Sequence, residues 1–184
     1  MDRITDTQSM IRSLKSLRAV REFLPDPVPK EVVHDLLEVA RWSGSARNVQ
    51  PWELVVIRDR ESLDTLAACD GYAGHLAGAQ LGIVFVMAGE NNEQETYDEG
   101  RLSERIMLAA AAHGVGGCIG WFTGQGRVDA KHHLGIPEHR LVRTAISLGY
   151  PDEAALRARQ SSGDARKPLA EIIHQEQYGR GMPD

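Results

Sequence analysis

The chain has 184 residues and a mass of 20.3 kDa, with 42% hydrophobic and 26% charged residues, which predicts a single domain over 1–184. A net charge of −5 and an isoelectric point near 5.8 argue against nucleic acid as a partner, and a mean hydropathy of −0.33 without a long apolar run argues against a membrane. Two distant cysteines and an N-terminus without an apolar leader predict free thiols in a cytoplasmic protein.

The first half of the chain predicts three helices and one strand. Helices are expected over MIRSLKSL, with Thr5 to Thr7 as its cap, over KEVVHDLLEVARW and over ESLDTLAA. Three prolines at positions 25, 27 and 29 force an extended connection before the second helix. The polar stretch SGSARNVQPW ends that helix and leads into a strand from Trp52 to Asp59.

The second half alternates buried strands with helices. Leu81 to Gly89 predicts a central strand, NNEQETYDEG an exposed linker, and Arg101 to His113 a long, mostly buried helix. A glycine-rich turn into a strand, a short helix over VDAKHHLG and a strand over VRTAISLGY follow. This irregular order favours an α+β fold. Residues from about 155 to 184 are expected to form an extended arm that packs on a partner subunit.

The stretch SGSARNVQPW places polar side chains next to a predicted strand. Ser45, Asn48 and Gln50 can each donate and accept hydrogen bonds, which suits recognition of a planar polar ligand. Alternatively, they satisfy only the backbone groups of their own loop.

Two basic pairs stand at opposite ends of an acidic chain. Arg18 and Arg21 are three residues apart, a spacing that places both guanidinium groups on one side of the chain, and Arg166 and Lys167 precede a proline. Together they predict a phosphate clamp, whereas each pair alone is equally typical of a solvated helix face.

The glycines of GVGGCIG, residues 114–120, do not form a dinucleotide-binding fingerprint. Ile119 stands where the third glycine belongs, and the run precedes a strand rather than a helix. Gly116 and Gly117 allow a ligand ring to approach the backbone closely, or they merely end a helix and let it pack on the sheet.

Protein-based catalysis finds no support in the sequence. His132 and His133 are adjacent and lack metal-ligand spacing, and no nucleophile elbow or charge-relay set stands out. A polar rim and a phosphate clamp without a protein nucleophile or a metal indicate an organic cofactor.

These features together resemble the nitroreductase family of FMN-dependent oxidoreductases, from about Leu14 to His174. The similarity lies, in the family's order, in LRAVREF, ARWSGSARNVQPW, DEGRLSERIMLAA, GVGGCIG, LGYP and RKPLAEIIH. The resemblance implies an α+β fold with a central, mostly antiparallel sheet flanked by helices. It also implies an intertwined homodimer with one FMN in each of two interface sites.

The resemblance further assigns residues to the cofactor. The phosphate would be held by Arg18, Arg21 and Arg166, with Lys167 beside them, and Ser45, Asn48 and Gln50 would contact the ribityl chain and the polar edge of the flavin. Gly116 and Gly117 would bring backbone amides to the reactive ring nitrogen. No side chain would be catalytic, because the chemistry would occur on the flavin.

Several positions depart from the family pattern. Ala19 stands where the family usually has a serine at the cofactor, and Leu17 stands where an arginine is often found. Gly44 replaces a common proline and Ala46 a frequent serine. Asp164 stands where some members have a lysine. The implied activity is NAD(P)H-dependent, ping-pong reduction of a nitroaromatic, quinone or related acceptor. The alternatives are a deazaflavin cofactor, a flavin or halogenated aromatic as substrate, and a flavin-binding module without turnover.

Overall fold

A computed structural model of the chain describes residues 7–158 and 166–181, and its centre is a four-stranded antiparallel sheet. The strands lie in the order β1-β2-β4-β3, so β1 and β3 are the edges. Their bounds are Trp52–Ile57 (β1), Leu81–Met87 (β2), Gly116–Trp121 (β3) and Leu141–Gly149 (β4). All seven residues of β2 are buried, as expected for a central strand covered on both faces.

Helices cover both faces of the sheet. Alternate residues of β2 point to opposite faces, so Ile83 and Phe85 pack in one apolar core with α2 and α4, while Val84 and Val86 pack in another with α3 and α5. The helices are Thr7–Ser16 (α1), Lys30–Arg41 (α2), Arg60–Ala67 (α3), Asn92–Ala112 (α4), Gly124–His133 (α5), Glu153–Ala158 (α6) and Leu169–Ile172 (α7). Two 3₁₀ turns, Ala46–Asn48 and Gly74–Gly78, complete the described elements.

The prediction of an exposed linker at NNEQETYDEG is wrong, because these residues form the first turns of α4. The Asn91 side chain caps the helix by accepting the Gln94 N–H at 3.1 Å. The Glu95 carboxylate accepts three backbone N–H groups of residues 89–91 at 2.9 to 3.1 Å. Glu95 and Glu99 are each only 2% exposed and Asp98 is 4% exposed, so one acidic face of this otherwise exposed stretch is buried.

A buried ion pair explains how Glu99 is accommodated in α4. Arg143 of β4 donates from Nε to Glu99 Oε2 at 2.9 Å, and its Nη2 lies 2.7 Å from the same oxygen. Both side chains are at most 5% exposed, and Asn92 accepts a further hydrogen bond from Arg143. Because charge pairing is invisible to hydropathy patterns, the sequence prediction began this helix at Arg101, nine residues after its actual start at Asn92.

The segment after α1 is extended and runs beside β3. Val20 donates its N–H to the Gly117 carbonyl at 2.8 Å, and Ala19 bridges Gly117 in parallel register. Farther along, Leu24 bonds to the Tyr150 carbonyl. Arg18 and Arg21 therefore do not lie on a helix, and the argument from helical spacing was wrong for this pair.

The remaining predicted elements agree with the structure to within a few residues. The strand predicted from Trp52 to Asp59 ends two residues earlier, and the C-terminal segment of residues 166–181 is exposed throughout, with only the four-residue α7. The predicted cap at Thr5 lies outside the described residues. In the part of the chain that the structure describes, no helix has the length and apolarity required to cross a bilayer.

Candidate functional site

The most prominent cavity lies between the extended segment, α4 and the edge strand β3. Its volume is about 660 Å³, within the range of sites for organic ligands. We call it the arginine cavity, and its lining residues are Leu14, Lys15, Leu17, Arg18, Ala19, Arg21, Glu104, Met107, Cys118, Ile119 and Arg166. Two segments that are about 145 residues apart in sequence thus contribute to one cavity.

The arginine cavity carries an excess of positive charge. Among residues 7–158 and 166–181, neither Arg18, Arg21 nor Arg166 forms an ion pair with a carboxylate. Arg18 Nη1 donates to the carbonyls of Lys15 and Leu17 at 2.7 and 2.8 Å, which fixes the guanidinium at the cavity wall. Fixed cations without bound carboxylates favour a dianionic ligand such as a phosphate monoester.

The predicted glycines lie next to this cavity. Gly116 and Gly117 line an adjoining cavity of about 310 Å³, which shares Leu17, Arg18 and Met107 with the first. A Cβ atom on Gly116 would lie 2.7 Å from Val20, and one on Gly117 would lie 2.9 Å from Met107. Both glycines are therefore required for close packing of β3 against its neighbours.

A histidine supports the strand that lines the cavity. His75 Nδ1 lies 2.7 Å from Ser147 Oγ, which in turn donates to the Cys118 carbonyl at 3.4 Å. Burial, and secondarily the positive charge of Arg21, lower the pKa of His75 below its ordinary value. The imidazole is thus kept neutral behind the cationic wall.

The loop of residues 43–52, which we call the Ser45 loop, lies elsewhere. Ser45 Oγ accepts the Gln50 N–H at 2.8 Å, and Gln50 Nε2 donates to the Asn48 carbonyl at 3.3 Å. Some of these polar groups therefore form hydrogen bonds with the backbone of their own loop, as the alternative interpretation predicted. The side chains of Asn48 and Gln50 are nevertheless exposed.

The backbone of the Ser45 loop is strained. Arg47, Asn48 and Gln50 have φ values of 51°, 57° and 51°, in the left-handed region that side chains other than glycine disfavour. Each such residue costs on the order of 1 kcal/mol. Strain of this kind in an exposed loop is typical of a segment whose shape serves binding.

One departure from the family pattern in this loop lies beside a side chain of α4. A Cβ atom on Gly44 would collide with the guanidinium of Arg101. The half-exposed end of the Arg101 side chain therefore lies against Gly44 and would have to shift for a larger residue there.

Helix α4 separates the Ser45 loop from the arginine cavity within one chain. The loop borders a cavity with Gln94, Glu95 and Asp98, whereas the arginine cavity uses Glu104 and Met107. The six helical steps from Asp98 to Glu104 correspond to about 9 Å along the axis and a rotation of roughly 120° about it. The Ser45 loop and the arginine cavity thus border different turns and different faces of α4.

The structure places some, but not all, of the predicted phosphate-binding residues at the arginine cavity. It brings Arg18, Ala19, Arg21 and Arg166 together, while Lys167 is exposed and does not line the cavity; Asp164 lies outside the described residues. Sequence reasoning missed Glu104, Met107 and Ile119. The i, i+3 spacing of Glu104 and Met107 on a predicted helix was the available signal, but nothing indicated which face would meet the arginines.

The fold and the cavity together define an α+β protein with a cationic ligand cleft at an edge strand. The model of the nitroreductase family matches residues 14–98. An Archaeoglobus fulgidus protein, named as a candidate NADH dehydrogenase or NAD(P)H nitroreductase, is 30% identical over 153 residues, which cover 79% of this chain and 87% of that protein. The chain belongs to the nitroreductase family.

Solved structures share the fold over nearly the whole chain. An FMN-dependent nitroreductase from Clostridium difficile R20291 superposes with a TM-score of 0.80 at 25% identity and covers 92% of this chain and 100% of its own. A candidate nitroreductase from Desulfovibrio desulfuricans, solved in complex with FMN, gives a TM-score of 0.74 at 26% identity, with 91% and 96% covered.

Proposed function

We propose that the protein is an FMN-dependent NAD(P)H oxidoreductase that reduces nitroaromatic, quinone or related acceptors. The observation that carries the proposal is the arginine cavity, which brings Arg18, Arg21 and Arg166 to an edge strand of a nitroreductase fold. The names of the related proteins support the donor and the class of acceptor, while the particular acceptor and the ping-pong order are the finer parts of the proposal.

The residues present fit FMN. Three cations, of which Arg18 is held by backbone carbonyls, match the charge of its phosphate, and Leu17, Met107 and Ile119 supply apolar surface for its ring system. Ala19 lines the same wall but offers no hydroxyl, so the arginines carry the phosphate contact without the hydrogen bond of a serine. The roles assigned to all ten cofactor residues, including Lys167, remain part of this proposal.

A second copy of the chain completes the proposed site. The Ser45 loop is strained, lines no part of its own chain's arginine cavity and lies on another face of α4, so we assign it to the cofactor of a partner subunit. Helix α1 has no buried residue, and a ten-residue helix is not stable without packing. Its apolar residues Met10, Ile11 and Leu14 are 41 to 52% exposed. In α7, Leu169 and Ile172 are 53 to 71% exposed.

These apolar surfaces support an intertwined homodimer in which the C-terminal segment packs on the partner as an arm. The arm is part of the single domain of residues 1–184, since α7 alone is too short to form a core. This arrangement joins the arginine cavity of one chain to the Ser45 loop of the other.

The protein side chains bind and orient rather than react. When bound, FMN accepts a hydride from NAD(P)H and passes its electrons to the acceptor in a second half-reaction. Arg18, Arg21 and Arg166 hold the phosphate, Asn48 and Gln50 of the partner chain hydrogen-bond the polar edge, and β3 forms the floor of the cleft. No side chain is assigned an acid or base role.

The test is reconstitution with FMN followed by anaerobic titration with NADH and NADPH. Stoichiometric uptake, bleaching of the visible absorption by either dinucleotide and recovery with a nitroaromatic or a quinone are expected. Uptake without bleaching would make the protein a non-catalytic flavin module. Uptake of a deazaflavin in preference to FMN would change the cofactor, and failure to bind either would contradict the proposal.

A further inference from the structure

A second, basic cavity lies where β4 begins. It has a volume of about 240 Å³ and is lined by residues of α5, of the start of β4 and of the start of α4. We call it the basic cavity, and its lining residues are Asn92, Gly124, Arg127, Val128, Lys131, Arg140, Leu141, Val142 and Arg143. Four of these nine residues are cationic.

The cations converge because of helix periodicity. Gly124, Arg127, Val128 and Lys131 stand at positions i, i+3, i+4 and i+7 of α5, which share one helix face. Lys131 is only 14% exposed in its side chain, and its ammonium group bonds to the Glu138 carbonyl at 2.9 Å. This helix face therefore presents fixed rather than mobile charges to the cavity.

The local charge remains positive after pairing. Glu99, Glu53 and Glu138 form ion pairs with Arg143, Arg140 and Lys131 at 2.7, 2.8 and 3.6 Å. Four cations and three carboxylates leave one net positive charge, and within the described part of the chain Arg127 has no carboxylate partner. The guanidinium of Arg127 instead lies over the Trp121 ring at 5.7 Å and donates from Nε to the Phe122 carbonyl.

Hydrogen-bond donors in this cavity are also left without acceptors. Arg140 Nε is buried and donates to no described residue, and the buried Nη2 of Arg143 is near Glu99 but not aligned for a hydrogen bond. The N-cap of α5, Thr123, makes no side-chain capping bond, so the first N–H groups of this ten-residue helix lack a capping side chain. Buried donors of this kind are costly unless an acceptor satisfies them.

The position of the basic cavity relative to the arginine cavity indicates which ligand it would bind. Ile119 lines the arginine cavity and Gly124 lines the basic cavity, and the five residue steps from one to the other span at most about 18 Å. This distance is within the reach of an extended dinucleotide whose nicotinamide lies over a flavin in the arginine cavity. Phosphate oxygens would then lie against the cationic side chains that line the basic cavity.

We propose that the basic cavity is an oxyanion subsite that binds a phosphate group of the reduced nicotinamide dinucleotide. This inference rests on the proposed function for the identity of the donor. The phosphate is either the pyrophosphate, common to NADH and NADPH, or the 2′-phosphate of NADPH alone, and the test separates these two.

The first test is calorimetric titration of pyrophosphate and of adenosine 2′,5′-bisphosphate into FMN-loaded protein. Lys131→Gln removes one cation of the cavity and is expected to lower the binding affinity of at least one probe roughly tenfold. Lys30→Gln, an exposed change on α2, should leave the affinity of both probes within twofold of the unchanged protein. Should Lys131→Gln fail to fold, Val128→Asp adds a carboxylate at the rim, where Val128 is 47% exposed. Its control is Val39→Asp on α2.

Steady-state kinetics identify the phosphate. If Lys131→Gln raises the KM about tenfold for NADPH alone, the subsite binds the 2′-phosphate. If the KM rises for both dinucleotides, the subsite binds the pyrophosphate. In either case kcat should stay constant. Equal probe affinity in all variants, or a KM increase only for a carboxylated acceptor, would overturn the proposal. If the protein takes up no flavin, the proposed function fails, while the same titrations on the flavin-free chain still decide whether the subsite exists.

Discussion

The arginine cavity and the Ser45 loop are both polar regions of the proposed cofactor site, yet they are built in opposite ways. The cavity is assembled within one chain from segments about 145 residues apart, and backbone carbonyls fix Arg18 at its wall. The loop is local in sequence and holds three residues in left-handed conformations. One region is a preformed cationic cavity, whereas the other is an exposed loop that lines no part of that cavity.

This contrast indicates how the binding energy is divided. Fixed cations are already oriented for a phosphate, so the arginine cavity should supply most of the affinity. The Ser45 loop contributes a few neutral hydrogen bonds, each worth only about 1 kcal/mol, and therefore orients the ligand more than it retains it. The loop is useful only if a second chain brings it to the cavity.

The largest expected effect comes from the element that both regions share. Both the loop and the cavity lie against α4, which the buried pair Glu99–Arg143 fastens to β4. We expect Glu99→Ala to lower the free energy of unfolding by about 3–5 kcal/mol, because it leaves Arg143 buried without its counter-ion. Urea denaturation monitored by circular dichroism measures this loss.

Two controls make this prediction specific. Glu104→Ala removes an exposed carboxylate of the same helix and should change stability by less than about 1 kcal/mol. The double variant Glu99→Leu, Arg143→Met replaces the pair by apolar groups and should recover most of the loss. An equal loss in Glu99→Ala and Glu104→Ala would show that the pair does not anchor α4.

The next effect concerns the arginine cavity alone. Arg18→Ala combined with Arg21→Ala should weaken FMN binding by at least about a hundredfold, because each charge-assisted hydrogen bond contributes roughly 1.5–3 kcal/mol. Fluorescence titration measures the affinity, and Arg58→Ala, which removes an exposed arginine after β1, should leave it unchanged. Unaltered affinity in the double variant would place the phosphate elsewhere.

Mixed dimers extend this test to the loop. A chain carrying both arginine substitutions is paired with a chain carrying Asn48→Ala and Gln50→Ala. If each site joins the arginine cavity of one chain to the Ser45 loop of the other, one of the two sites in the mixed dimer contains only native residues. Half-stoichiometric tight FMN binding is then expected. A single site with only the affinity of the Asn48→Ala, Gln50→Ala homodimer would mean that loop and cavity act within one chain.

Most of the fold could be predicted because apolar periodicity reports burial. The unbroken run at Leu81 to Met87 is a central strand for that reason. The first turns of α4 escaped prediction since Glu95 and Glu99 are charged, and contacts that hydropathy does not report make their burial tolerable. Glu95 accepts backbone N–H groups of residues 89–91, and Glu99 pairs with Arg143, which lies more than forty residues away along the chain.

The candidate site was predictable to a smaller degree. Residue type identified Arg18, Arg21 and Arg166 as cations that could hold a phosphate, but their meeting depends on the pairing of Val20 with Gly117, which no local pattern encodes. The same limit explains the basic cavity. Its cations come from α5 and β4, and the sequence shows them only as scattered charges.

The smallest expected effect concerns strain in the Ser45 loop. Arg47 has a φ of 51°, and its side chain is not among the proposed cofactor contacts. Arg47→Gly should raise the free energy of unfolding by about 0.5–1 kcal/mol, because glycine adopts this conformation without steric cost but loses more entropy on folding. Thermal unfolding of Arg47→Gly against Arg58→Gly measures the gain, since the second change has no strain to relieve. A stabilised variant that also binds FMN less tightly would show that the loop's shape is maintained for the ligand at the expense of stability, whereas a destabilised one would contradict the strain assigned to position 47.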